Sequence, residues 1–271
     1  MINYEEQLVA EDGLKLHVYR YFPDNANAAL LLSHGWSEHA GRYHELAIWF
    51  AQHGFEVHAL DHRGHGKSEG VRGHVNGWSE YTRDLEMLRK TVKQEHQYLL
   101  GHSMGGMIAA LHLLEYPNVF KAAVLSGPAS DVSYKVPFFK KILGQLMSAW
   151  YPSLGLKNKI DPNIVCGNQE VVDAYINDPL NHGQVSARWF NDYLKQIERL
   201  KREAGTIKTP VAIWHGEKDA LVAPWVGKQL FEGLACEGKQ FHTVGDSLHE
   251  ILFEHNWRDI AGQMKSWLER H

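Results

Sequence analysis

Apolar positions along this chain change their period several times, and the changes mark out its elements. Near the start, two alternating stretches, Glu5–Ala10 and Leu14–Phe22, flank Asp12-Gly13 and predict an antiparallel hairpin. Short continuous apolar runs follow at Ala28–Ser33, Phe55–Leu60, Tyr98–Leu100, Ala122–Ser126, Val211–Trp214 and Gln240–Val244. Between them lie stretches of helical period near Tyr43–His53, Trp78–Glu95, Met104–Tyr116, Pro224–Leu234 and Glu254–Arg270. Unbroken apolar strands separated by helices predict a mainly parallel sheet covered by helices on both faces. One interval breaks this rhythm. From about residue 130 to about 205 no strand pattern is visible, while Phe139, Ile142, Leu143, Leu146, Met147 and Trp150 share one helical face. The expected organisation is an α/β core, residues 1–129 and 206–271, interrupted by a helical cap insertion, 130–205.

Within this pattern, "QYLLGHSMGGMIAALHLLEYP" (Gln97–Pro117) places Ser103 where an apolar run hands over to a helix. A side chain at Gly101 or Gly105 would collide with the backbone of so sharp a corner, so small neighbours lift the serine hydroxyl out of the sheet. Taken alone, G-x-S-x-G is equally a helix cap with turn glycines. What decides is whether the chain supplies a base, because a serine hydroxyl is a poor nucleophile until its proton is removed. In an open parallel sheet, functional groups gather at the carboxyl ends of the strands. There, "HGEKDALVAP" offers Glu217 and Asp219, and "GDSLHEILF" offers His249; His242 and His255 fall inside a strand and a helix pattern and read as structural. The chain order Ser103, Asp219, His249, each after a strand, is that of the α/β-hydrolase fold. In it His249 takes the Ser103 proton and Asp219 orients the imidazole. The turn in "LLLSHGW" would supply the Trp36 backbone N–H, paired with that of Met104, as donors to an oxyanion.

Composition narrows the classes. A chain of 271 residues, 44% hydrophobic and 22% charged, buries a large core, and a net charge of −4 gives no nucleic-acid signal. Cys166 and Cys236 have no C-x-x-C spacing, and the 18 histidines include no H-E-x-x-H, so neither a disulfide framework, a metal site nor another cofactor is expected. The acidic, polar-interrupted "MINYEEQLVAEDGLKL" is neither a signal peptide nor a membrane span, which leads to a cytoplasmic expectation. Residues 134–203 differ from the rest, with ten Lys and Arg against seven Asp and Glu. Lys140 and Lys141 lie off the apolar face of Phe139, Leu143, Leu146, Met147 and Trp150. That face suits either a roof over the substrate pocket or peripheral contact with a membrane.

Taken together, these segments resemble the monoacylglycerol lipase and lysophospholipase group of α/β-hydrolases, over nearly the whole chain. "SHGWSEHAGRY" is similar to the group's oxyanion segment, "GHSMGG" to its nucleophile elbow, "HGEKD" and "SLHEI" to its acid and histidine segments, and "NDPLNHGQVSARW" (Asn177–Trp189) to a cap segment. "DHRGHGKSEG" (Asp61–Gly70) resembles its following loop and is assigned to structure. The resemblance implies a serine hydrolase acting on a small lipid-like ester, monoacylglycerol or lysophospholipid, with Ser103, Asp219 and His249 in the triad roles. Trp36 departs from the group, which often has a small residue there. Three other readings compete. An aminopeptidase on the same core would need acidic cap residues, and residues 134–160 contain none, although Asp161, Glu170 and Asp173 follow. A general short-chain carboxylesterase differs only in substrate. A non-catalytic binding protein would be expected to lack a triad member. Ser103 argues against dehalogenase or epoxide-hydrolase chemistry, which uses a carboxylate nucleophile.

Overall fold

The computed structural model describes residues 1–133, 147–157 and 160–271. Strands β1 (Ile2–Val9) and β2 (Lys15–Phe22) form the expected hairpin, with Val9 opposite Lys15 across the turn at Gly13, whose φ of 85° is in the left-handed region. Then come β3 (Ala28–Ser33), helix α1 (His44–Gln52), β4 (Phe55–Leu60), α2 (Ser79–Thr91), β5 (Gln97–His102), α3 (Met104–Glu115) and β6 (Ala122–Ser126). The interval expected to lack strands contains two short ones, β7 (Gly155–Lys157) and β8 (Gln184–Ser186), with α4 (Gln169–Asn177) between them and α5 (Ala187–Glu203) after. They pair antiparallel with each other, Leu156 opposite Val185. Three-residue strands as polar as Gln184–Ser186 are too short to show a period, which is why the sequence pattern hides them. The core resumes with β9 (Val211–Gly216), α6 (Pro224–Gly233), β10 (Gln240–Val244) and α7 (Trp257–Leu268).

Eight strands make one sheet in the order β1-β2-β4-β3-β5-β6-β9-β10, antiparallel at β1–β2 and β2–β4 and parallel from β4 onward. Alternate residues of each central strand serve opposite faces. Leu31, Leu99, Leu125 and Ile213 meet α2, α3 and α5 through Leu85, Ile108 and Ile197. Leu30, Leu100, Val124 and Trp214 meet α1 and α7 through Phe50, Ile260 and Trp267. Both faces are therefore sealed, and the carboxyl edge of the sheet is left to carry chemistry. The long helix α5 belongs to the first of these layers: Tyr193 stacks on Trp78 with ring centroids 5.2 Å apart.

The turn from β5 to α3 leaves no room for side chains at its glycines. A Cβ on Gly105 would lie 2.0 Å from the Ser33 carbonyl oxygen, and one on Gly101 would lie 2.4 Å from the Gly105 oxygen. Both obstacles are backbone and cannot swing aside. Gly105→Ala is therefore expected to destabilise the fold by about 3 kcal/mol, roughly 6–12 °C in melting temperature. Gly262→Ala on α7, where an added Cβ meets nothing within 4 Å, should be neutral or slightly stabilising. Equal melting temperatures for the two variants would contradict the packing described.

Candidate active site

Ser103 stands at the corner between β5 and α3 with φ 52° and ψ −115°, a conformation that L side chains rarely adopt. Its neighbours enforce it: the Ser103 N–H donates to Ser126 O at 2.9 Å, and its carbonyl accepts from Met107 and Ala129. Parallel strands bring the other groups to the same edge. Asp219 follows β9, His249 follows β10 and Trp36 follows β3. His249 Nδ1 donates to Asp219 Oδ2 at 2.6 Å. With its proton committed there, His249 Nε2 carries the lone pair, and it has no partner among the described residues. Gly127, at φ 50°, leaves room for this pair, since a Cβ there would sit 3.2 Å from His249 Nδ1.

Asp219 is held further. Its Oδ1 accepts the N–H groups of Leu221 (3.0 Å) and Val222 (2.8 Å), and His215 Nε2 lies 3.2 Å from Oδ2. Burial alone would push its carboxyl upward, but His249, His215 and the Val222 amide outweigh that and keep it well below the usual carboxylate range. For His249, burial works against the imidazolium, and the Asp219 carboxylate more than offsets it, so its pKa lies above the ordinary imidazole value. His102, 4.8 Å away between ring centroids, is pushed down to about 3 by burial and by the charge of His249, so it stays neutral beside that ring.

Ser103, His249, Gly35 and Trp36 line one cavity with about 530 Å³ of empty volume, part of it open to solvent. Neither the Trp36 nor the Met104 amide donates to another group among the described residues, and Met104 opens a helix, where amides are unpaired. The Trp36 amide, the Ser103 hydroxyl and the His249 acceptor nitrogen around one cavity, with the Met104 amide adjoining Ser103 in the chain, suit acyl transfer through a tetrahedral intermediate. No group of three or more His, Cys, Asp or Glu among the described residues is placed to hold a metal ion.

The cavity's other lining differs from the sequence expectation. Phe139, Leu143 and Leu146, like Ile142, Lys140 and Lys141, lie outside the described residues. Met147 is partly buried and Trp150 is 77% exposed, and neither lines the cavity. A helical face inferred from spacing does not say what it faces. The apolar lining comes instead from Ile160, Pro162, Val165, Val171 and Val172, with Tyr175 and Cys166 beside them. Sequence reasoning missed these, because a loop and the start of α4 carry no pocket-like period. It also missed Glu38, Arg42 and Glu250, a buried ion cluster at the cavity. Glu38 and Arg42 are four apart in "SHGWSEHAGRY", which is legible as a pair, but the Arg42–Glu250 contact spans 208 residues.

The "DHRGHGKSEG" loop shows what its residues brace. Asp61 accepts the Ala40 N–H at 2.7 Å and the Lys67 N–H at 2.8 Å, and a Cβ on Gly66 would strike its Oδ2 at 2.1 Å. His62 donates its amide to His34 Nε2 at 2.9 Å, and His34 Nδ1 in turn donates to Gly35 O at 2.7 Å. The loop thus supports the turn carrying Trp36.

Known proteins resemble this chain along nearly its whole length. Residues 24–256 match the family described as serine aminopeptidase, S33. A monoacylglycerol lipase of Mycolicibacterium smegmatis is 32% identical over 98% of this chain and 97% of its own. The monoglyceride lipase of Rattus norvegicus is 34% identical over 96% of this chain and 89% of its own. Among solved structures, the monoacylglycerol lipase of Paleococcus ferrophilus superposes with a TM-score of 0.86 at 30% identity, covering 100% of both chains.

The electrostatics set the pH response. A base must be neutral to accept a proton, so kcat/KM on a soluble ester should fall as pH drops through the His249 titration, with a midpoint above the ordinary imidazole value. Asp219→Asn is expected to lower kcat by about 10⁴. A rate profile flat down to roughly pH 5 would remove His249 as the base.

Proposed function

The chain belongs to the serine aminopeptidase S33 family, has the α/β-hydrolase fold and is similar to monoacylglycerol lipases over nearly its whole length, and on that footing we propose that it hydrolyses single-chain acyl esters such as monoacylglycerols. The enzyme is a carboxylic ester hydrolase. In the proposed cycle the Ser103 hydroxyl attacks the ester carbonyl while His249 takes its proton and Asp219 steadies the imidazolium. The oxyanion accepts from the Trp36 and Met104 amides, the alcohol leaves with the proton from His249, and water then releases the fatty acid from Ser103 by the same steps.

The observation that carries this reading is the apolar cavity wall formed by Ile160, Pro162, Val165, Val171 and Val172 beside Ser103. Such a wall favours an acyl chain, at about 0.8 kcal/mol per buried methylene. It does not favour the aminopeptidase reading, which requires a carboxylate free to bind a substrate ammonium. The carboxylates lining the cavity, Glu38 and Glu250, have all four oxygens already accepting hydrogen bonds from Gly35, Tyr43 or Arg42.

The insertion, taken as a cap over residues 130–205, also carries exposed apolar side chains: Trp150 at 77%, Tyr151 at 64% and Ile176 at 58%. With the excess of Lys and Arg there, they support peripheral docking on anionic lipid by a cytoplasmic enzyme. Among the described residues no helix is long and apolar enough to cross a membrane.

An ester panel ranked by chain length and head group tests the activity. Monoacylglycerols should be cleaved, Ser103→Ala should abolish turnover without lowering the melting temperature, and a serine-directed phosphonate should label Ser103, while chelators leave the rate unchanged. Retained hydrolysis in Ser103→Ala would overturn the assignment. For the membrane contact, replacing Trp150 and Tyr151 with serine should weaken binding to vesicles of anionic lipid at low salt while sparing a soluble short-chain ester. Parental vesicle binding in that variant would remove this face from the interface.

A further inference from the structure

Beside the reacting groups lies a set of buried charges for which the hydrolytic steps have no use. Glu38 and Glu250 are 2% and 6% exposed, and the Arg42 side chain between them is 8% exposed. Glu38 Oε1 accepts from the Gly35 N–H at 2.6 Å and from the Tyr43 hydroxyl at 2.7 Å, and its Oε2 pairs with Arg42 Nη1. Arg42 reaches both oxygens of Glu250, at 2.7 and 2.8 Å. Its guanidinium lies between the rings of Phe253, 4.4 Å away, and Tyr175, 4.9 Å away. Taking three charges out of water costs several kcal/mol apiece, so such a cluster is a poor source of stability. Its placement points elsewhere.

Gly35 precedes the oxyanion amide. Its N–H is held by Glu38 and its carbonyl by His34 Nδ1. The peptide joining Gly35 to Trp36 is planar and trans, so anchoring the Gly35 oxygen on one side turns the Trp36 N–H to the other. At the far end of the cluster, Glu250 directly follows the base, and its own N–H donates to Val165 O of the insertion at 2.9 Å. Tyr175, also of the insertion, donates to Ser37 Oγ at 2.9 Å. One cation therefore touches the oxyanion turn, the loop of the base and the insertion together.

We propose that Glu38 and Glu250 are positioning residues for ester hydrolysis: bridged by Arg42, they hold the oxyanion donor and the base at a fixed separation, with the insertion seated on the same bridge. The assignment rests on the serine-hydrolase reading. Tight registration matters because a misplacement of about 1 Å can cost roughly 100-fold in rate. The cluster also acts through its field. His249 is faced by Asp219 from the loop after β9, by His102 from β5, by adjacent Glu250, and by Glu38 and Arg42 from the segment before α1. In the cluster two carboxylates outnumber one cation, which favours the imidazolium.

The test uses a soluble short-chain ester and compares kcat, KM, pH profile and melting temperature for Glu38→Ala, Glu38→Gln, Glu250→Gln and Ser103→Ala. Glu38→Ala should lose about 100- to 1,000-fold in kcat, the size of a lost oxyanion donor, with KM changed by less than about threefold. Glu38→Gln keeps an acceptor for the Gly35 amide and should regain at least about tenfold of that loss. In Glu250→Gln the acid limb of kcat/KM should move to lower pH, a change that simple loosening of the fold would not produce. A kcat for Glu38→Ala within about threefold of the parent, or a Glu250→Gln profile superimposed on it, overturns the proposal. Where the alanine variant does not fold, the Glu250→Gln profile alone decides. Activity surviving in Ser103→Ala would instead indict the underlying reading, which keeps the two failures apart.

Discussion

The site depends on how closely α3 crosses the end of β3. At Gly105 the two backbones approach until no Cβ fits between them. That contact does two things at once, because the residues after Ser33 are His34, Gly35 and Trp36. It bends the chain so that Ser103 is forced into a strained left-handed conformation, and it draws the turn carrying Trp36 up to the same point. A Cβ on Gly35 would lie 3.4 Å from that of Ser103. Ser103 and the turn carrying Trp36, the proposed nucleophile and oxyanion donor, are thus brought together by one steric fact, and the strain is sustained by three backbone hydrogen bonds around Ser103.

The parts legible in the sequence are those that repeat a period or sit at a strand end. β1 and β2 are marked by alternation and the other strands of the large sheet by apolar runs, and the Ser103, Asp219 and His249 loops by their place after such runs. What escaped was short or non-local. The β7–β8 pair has too few residues for alternation, and helix α7 starts at Trp257 rather than Glu254 because the chain from Glu250 to Asn256 is spent in turns. The cavity wall at Ile160–Val172 and the Arg42–Glu250 bridge exist only once distant segments meet. A helical stripe such as that of Phe139 to Trp150 tells which side chains share a face, and Trp150 shows that the face need not turn inward.

Four of the histidines scattered along the sequence turn out to share a physical state. His34, His62, His65 and His102 are fully buried and held far below the imidazole value by desolvation, two of them at about 3. Neutral imidazole offers one donor and one acceptor at fixed angles, which is what joining two backbone segments requires. His34 uses both, accepting from one amide and donating to the next carbonyl. His249 alone in this buried group has a carboxylate partner that raises it, so only that ring is poised to carry charge.

The tie between Glu250 and the insertion runs to the Val165 main-chain carbonyl, not to its side chain. Any residue at that position brings the same carbonyl, while the valine side chain lies on the cavity wall. Attachment and selectivity are thereby divided between two parts of one residue. The wall can drift in shape, and with it the range of acyl chains admitted, while the joint between Val165 and Glu250 remains chemically identical.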